Sequence, residues 1–259
     1  MSLDAFLGGR LHLHQPDRGG FRSGSDAVLL AAAVPARAGD SVLDLGCGTG
    51  AAMYCLATRV PGLRLTGVER DAEAAALARR NGAAEVVEAD IHDLPPDLRR
   101  QWSHVIANPP YFPAGAGSPA TDAPREAALR EARAGDLARW VAVACRRVAP
   151  KGTVTVIARA DRLGEILPVM QGALGGLSIR PVAPFPEAPA GRVIVQGVLG
   201  ARTPLVLLAP LVLHSRPEDG AYTGEAEAIL RDMAALRMRD RPSGPPVPKR
   251  RDRGAGDVL

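Results

Sequence analysis

Aromatic side chains are scarce in this sequence: two Trp, three Tyr and four Phe among 259 residues. Two of those nine rings standing side by side outside a core pattern therefore mark a place to read closely. Lysine is scarcer still, with only Lys151 and Lys249, and arginine supplies the remaining basic charge. Alongside abundant alanine and glycine, that bias reads as genomic base composition rather than an arginine-rich binding motif. Three cysteines (Cys47, Cys55, Cys145) are odd in number and lack metal-ligand spacing. This excludes a disulfide framework and fits free thiols in a reducing, cytoplasmic interior. No apolar run reaches the length of a bilayer span. The longest, residues 204–214 (PLVLLAPLVLH), is broken at Pro210, so no membrane span is expected. The N-terminal segment lacks a basic region followed by an apolar core, so no secretory signal is read there.

What is present is ordinary for a globular α/β protein: 46% hydrophobic and 23% charged residues. The net charge of +4 is mildly basic and compatible with a nucleic-acid partner without requiring one. Residues 1–16 alternate apolar and polar around Leu11, His12, Leu13 and His14, predicting a strand or hairpin arm. His12 and His14 share a strand face, but no Cys or carboxylate joins them and no metal site is expected. Residues 17–20 are turn material. Ser23-Gly24-Ser25-Asp26 opens a helix, with Asp26 read as an N-cap, over the apolar run 27–34.

From Ser41 the pattern becomes strand, turn, helix, repeated. Strands are predicted at 41–45, 63–68, 85–89, 102–107 and 153–158. Helices are predicted at 51–60, 71–81 (stopped at Asn81-Gly82), 136–148 (capped by Asp136) and 161–174. Closing strands follow at 179–182, 192–199 and 205–213, and a final helix lies within 222–239. This alternation implies a mostly parallel, doubly wound sheet. The organisation expected is an arm and helix over 1–36, a main domain over 37–238 and a basic, disordered tail over 239–259. The tail's Lys249-Arg250-Arg251 cluster reads as solvated, with nucleic-acid contact as the alternative.

Three strand ends carry acids. Asp44-Leu45-Gly46-Cys47-Gly48-Thr49-Gly50 follows the first strand of the repeat, and its glycines let the backbone turn sharply and approach a ligand. An acid before a G-x-G-x-G turn would repel a pyrophosphate but suits the ammonium of an amino-acid moiety. The turn resembles the S-adenosylmethionine turn of class I methyltransferases, which assigns Asp44, Gly46, Cys47, Gly48 and Gly50 to the cofactor. The thiols of Cys47 and Cys55 read as small fillers beside it. Glu69, followed by Arg70, ends the second strand, where a carboxylate can accept both ribose hydroxyls. Asp90 ends the third, placed to accept from an adenine amine while Ile91 packs on the ring.

The fourth strand runs into Asn108-Pro109-Pro110-Tyr111-Phe112. Prolines cannot donate to a sheet and hold the residue before them extended. The corner matches the (N/D/S)-P-P-(Y/F) motif of methyltransferases that alkylate a planar amino nitrogen. Such a nitrogen is a poor nucleophile because its lone pair is delocalised. If the Asn108 side-chain oxygen and the Pro109 carbonyl accept its hydrogens, the lone pair turns toward the methyl donor. Tyr111 would stack on the flat substrate. Asn108 also borders the cofactor. The motif alone leaves open adenine N6, guanine N2 of rRNA, cytosine N4 or a protein glutamine amide.

Only forty residues precede Ser41. That leaves too little room for the helical domain expected of glutamine methyltransferases, and no large target-recognition domain of the kind usual in DNA methyltransferases is expected. Gly20-Phe21-Arg22-Ser23-Gly24-Ser25-Asp26-Ala27-Val28-Leu29-Leu30, followed by DLGCGTG and NPPYF, resembles the bacterial tRNA adenine-N6 methyltransferases that modify the adenine beside the anticodon of a valine tRNA. Residues 123–127 (APREA) and 211–222 (LVLHSRPEDGAY) extend the resemblance, which covers about residues 10–235. It implies a Rossmann-like class I methyltransferase fold with a mostly parallel seven-stranded sheet and helices on both faces. It also implies S-adenosyl-L-methionine as cofactor, a tRNA substrate and no metal. By the same resemblance Asp26 and residues 22–25 should lie over the methionine end of the cofactor. The loop 113–124 should order on RNA, with Arg125, Arg130 and Arg133 either meeting phosphates or forming a solvated face. The basic tail has no counterpart in the family.

Overall fold

The computed structural model describes residues 1–16, 22–111, 135–216 and 220–239. The 17–20 turn, Phe112, the 113–124 loop, Arg125, Arg130, Arg133 and the 240–259 tail lie outside the described residues.

In chain order the elements are β1 (Ser2–Phe6), β2 (Leu11–Gln15), α1 (Ser25–Ala33), β3 (Ser41–Leu45), α2 (Ala51–Arg59), β4 (Arg64–Glu69), α3 (Ala72–Asn81), β5 (Glu85–Glu88), β6 (Trp102–Ala107), α4 (Asp136–Arg147), β7 (Val148–Arg159), α5 (Leu163–Ala173), β8 (Gly175–Ala183), β9 (Arg192–Val198), β10 (Val206–Leu207), β11 (Leu211–Val212) and α6 (Gly224–Asp232). β1 and β2 make the expected antiparallel hairpin. The main sheet runs β10-β8-β9-β7-β6-β3-β4-β5, with β11 also on β8. β5, β4, β3, β6 and β7 are mutually parallel, and β9 inserts antiparallel between β7 and β8. Seven of these strands form the expected class I arrangement. The run 205–213 divides into the two-residue pieces β10 and β11, with Pro210, which has no N–H for a ladder, between them.

Strand alternation divides the core between the two faces. Val42, Ile106, Ile157 and Ile194 pack with α1, α2 and α6. Leu43, Leu45, Val105, Val154, Val156 and Val195 pack with α4 and α5. Asp44 alternates with Leu43 and Leu45, so it falls on the α1–α2 face.

Local details depart from the sequence reading. α4 is preceded by Gly135 in a left-handed conformation (φ 76°), and Asp136 sits in the first turn rather than at the cap. α1 likewise starts from Gly24 with no side-chain cap, leaving Asp26 in its first turn. Asn81 is more than a helix stop. Its side chain accepts from the His14 N–H (2.7 Å) and donates to the carbonyls of His14 and Thr49 (3.0 Å each), binding the N-terminal arm to the glycine turn. β5 ends at Glu88, so Asp90 lies two residues beyond it and caps a short 3-10 turn through His92 N–H (2.8 Å). Among the described residues, no helix is long and apolar enough to cross a membrane, and no cluster of His, Cys, Asp and Glu could hold a metal.

Candidate active site at the carboxyl edge of the sheet

Register places the site. Leu45 pairs with Val68 on one side and Ala107 on the other. One residue further along, Gly46, Glu69 and Asn108 therefore leave the sheet side by side. Gly46, Gly48 and Gly50 all have positive φ (65°, 55° and 83°), a conformation that opposes side chains. A Cβ on Gly46 would lie 2.2 Å from the Trp140 ring, and one on Gly50 would lie 2.5 Å from Tyr54. A Cβ on Gly48 would meet nothing within 4 Å, so the turn opens at its middle glycine. There the Gly48 N–H donates to Glu69 Oε2 (2.9 Å), while Glu69 Oε1 accepts from Asp71 N–H (2.9 Å). The carboxylate is thus fixed by the backbone, and each oxygen retains a further lone pair for a ligand hydroxyl.

Asp44 is buried beneath this turn and accepts a hydrogen bond from the Met53 backbone. Its Oδ2 is buried with no donor among the described residues. Burial pushes its pKa up to about 8; the Met53 N–H opposes the rise and the Glu69 charge adds to it. Such a carboxyl is short of a cationic partner. Thr49 Oγ1, in the same turn, is also buried without a partner among the described residues. The Cys47 thiol turns away, toward β4, where a Cβ on Gly67 would lie 2.6 Å from its sulfur. Burial drives its pKa well up, so it is an inert filler, and only the Cys47 backbone belongs to the turn.

On the neighbouring strand end, Asn108 Oδ1 is buried with no donor among the described residues. Pro109 is buried behind it. The Tyr111 hydroxyl donates to Asp26 Oδ2 at 2.5 Å, and the Asn108 side chain beside it acts on the phenol as a donor, which works to hold its pKa down. Arg192 Nε donates to the same Asp26 oxygen at 2.8 Å, and its guanidinium carbon lies 4.7 Å from the Tyr111 ring centroid. Burial, reinforced by the Asp26 charge, pushes the Tyr111 pKa up, so the phenol keeps its proton. Asp26 therefore reaches the Asn108 corner instead of capping its own helix.

Farther along the edge, Asp90 is exposed with Oδ1 on the His92 N–H, and Ile91 is buried against Leu94 and Leu98. His92 Nε2 pairs with the buried Asp136 at 3.0 Å, tying this segment to the start of α4. Arg70 is exposed beyond β4. Two participants escaped the sequence reading. Trp140 has the spacing of an ordinary helix residue. Arg192 begins a strand, and only the antiparallel direction of β9 brings a strand start to the edge where parallel strands end.

A family model described as "Methyltransferase small domain" matches residues 20–162. The chain is 30% identical over 229 residues to a tRNA1(Val) (adenine(37)-N6)-methyltransferase of Dickeya chrysanthemi, covering 83% of this chain and 88% of that one. It is 35% identical over 153 residues to a protein of the same name from Klebsiella pneumoniae, covering 56% of this chain and 61% of that one. Among solved structures, a predicted O-methyltransferase from Agrobacterium tumefaciens superposes with a TM-score of 0.67 at 28% identity, covering 82% of this chain and 98% of the other.

Proposed function

This chain belongs to the methyltransferase small domain family, and from that premise we propose that it transfers a methyl group from S-adenosyl-L-methionine to the N6 amine of adenine in tRNA, beside the anticodon, as a cytoplasmic enzyme. The observation that carries this reading is Asn108 Oδ1, a buried acceptor without a donor at the end of β6. An amide oxygen in that state suits an N–H of an exocyclic amine and leaves the nitrogen lone pair free for the methyl group. A hydroxyl acceptor would need its proton removed by a base, which a carboxamide cannot do. The corner thus favours an amine over an oxygen, despite the name of the Agrobacterium neighbour.

The residues of the edge fit the methyl donor. Asp44 Oδ2, buried and without a donor, suits its ammonium. The remaining lone pairs of Glu69 suit its ribose hydroxyls. The open middle of the turn at Gly48 lets backbone approach, with Gly46, the Cys47 backbone and Gly50 shaping it. Asp90, Ile91 and Arg70 stand farther along the same edge, where the adenine end of the donor belongs. The donor supplies an electrophilic methyl group on a sulfonium. The chain's part is to hold the acceptor amine against Asn108 Oδ1 and the Pro109 carbonyl while Pro110 keeps the corner rigid and Tyr111 meets the base.

Asn108→Ala is expected to abolish methyl transfer while leaving donor affinity, measured by calorimetry, within about twofold, because Asn108 acts on the acceptor. Parallel loss of donor binding would contradict that role. Asp44→Ala and Glu69→Ala are expected to do the reverse and weaken the donor first. Methyl incorporation into protein rather than nuclease-sensitive material would replace adenine by a glutamine amide as the acceptor.

A further inference from the structure

We propose that Asp26 and Arg192, acting through the Tyr111 hydroxyl, set which way round the Asn108 amide sits, and so make Asn108 an acceptor rather than a donor toward the substrate. The inference rests on the reading of Asn108 above and names positioning residues for it.

Hydrogen-bond polarity decides the orientation of the amide. A carboxamide has an accepting end and a donating end of nearly the same shape, so sterics alone do not choose between its two orientations. Only the oxygen end can receive the hydrogens of an amine. The choice must therefore come from a neighbour whose own polarity is fixed. At the far end of this chain stands Arg192, a guanidinium that can only donate. It meets Asp26 Oδ2 at 2.8 Å, and the Asp26 side chain is 14% exposed. The ion-paired carboxylate can only accept, so the Tyr111 hydroxyl, 2.5 Å from the same oxygen, must spend its single hydrogen there. What the phenol oxygen then offers Asn108 is a lone pair. Asn108 can answer it only through Nδ2, and Oδ1 is left as the buried oxygen with no donor among the described residues.

The Arg192–Asp26 and Asp26–Tyr111 links are 2.8 and 2.5 Å long and partly buried, and they join β9, α1 and the corner after β6. Arg192 also lies over one face of the Tyr111 ring, 4.7 Å from its centroid, so the ring that would meet a base is braced from the side of β9. Without Asp26, the Tyr111 hydroxyl is free to donate to Asn108 Oδ1. That would occupy the oxygen or turn the amide so that its NH2 confronts the substrate amine.

The test is a double-variant cycle read by single-turnover methyl transfer to adenine in tRNA, with donor affinity measured in parallel. Asp26→Ala, which removes the accepting oxygen (an asparagine would keep one, held inward by Arg192), and Tyr111→Phe are each expected to slow transfer by about 100-fold, the scale of a misplaced reacting group. Donor affinity should stay within about twofold of wild type in both. Tyr111→Phe removes one oxygen and keeps the ring, which separates polarity from stacking and should fold. The decisive readout is coupling: once the hydroxyl is gone Asp26 has nothing to orient, so the double variant should be no slower than Tyr111→Phe alone. Multiplied effects, or an Asp26→Ala variant at the wild-type rate, would overturn the inference. A wild-type protein that does not methylate adenine, or an Asn108→Ala variant that does, would overturn the reading beneath it and the inference with it.

Discussion

Gly46 and Gly48 stand two residues apart in one turn and should respond to the same substitution in opposite ways. Gly46→Ala forces a Cβ to within 2.2 Å of Trp140 at a φ of 65°, and should destabilise the fold by about 3 kcal/mol, visible as a lowered Tm. Gly48→Ala meets no atom within 4 Å and should cost only about 1 kcal/mol in stability, yet weaken donor binding because its methyl enters the open side of the turn. Equal thermal losses would contradict that division. Asp44 yields a pH dependence. Its folded-state pKa of about 8 is above the ordinary carboxylate value, so between these values the folded state binds a proton that the unfolded state has released. Stability of the donor-free protein should therefore fall as pH rises from about 5.5 to 8, by up to about 1.4 kcal/mol per unit. Asp44→Asn should flatten that slope. The identities of Asp44, Glu69 and Asn108 were legible in the sequence because each is a polar residue at or beside the end of an apolar strand. The role of Asp26 was not, since helix-start acids look alike whatever they reach.

Among the elements, the parallel strands β3 to β7 were legible from strand–turn–helix alternation, and their register delivers three strand ends to one edge. The antiparallel insertion of β9 is a matter of sheet order, which local pattern does not encode, and with it went Arg192. The N-terminal hairpin was visible as alternation, but its anchor was not. Asn81, which has the ordinary sequence signature of a helix end, makes three hydrogen bonds that bind β2 and the glycine turn to α3. Asn81→Ala should cost about 2–3 kcal/mol and speed hydrogen exchange at the His14 amide, with exchange in β6 and β7 little changed. Uniform acceleration across the sheet would mean that the arm is not held locally.

At the scale of the whole molecule, a net charge of +4 and a substrate carrying one charge per nucleotide predict binding that weakens steeply as salt rises. A flat response would argue for an uncharged acceptor. The fold brings a buried carboxyl, a fixed strand-end carboxylate and an oriented amide to one edge, and a planar amine is the acceptor that this edge suits. The measurement that meets this claim most directly is nucleoside mass spectrometry. Unmodified tRNA is incubated with the purified protein and isotope-labelled S-adenosyl-L-methionine, beside an Asn108→Ala control. Label is expected in N6-methyladenosine with the wild-type protein and none with the variant. Label in guanosine, in ribose or in the protein fraction would contradict it.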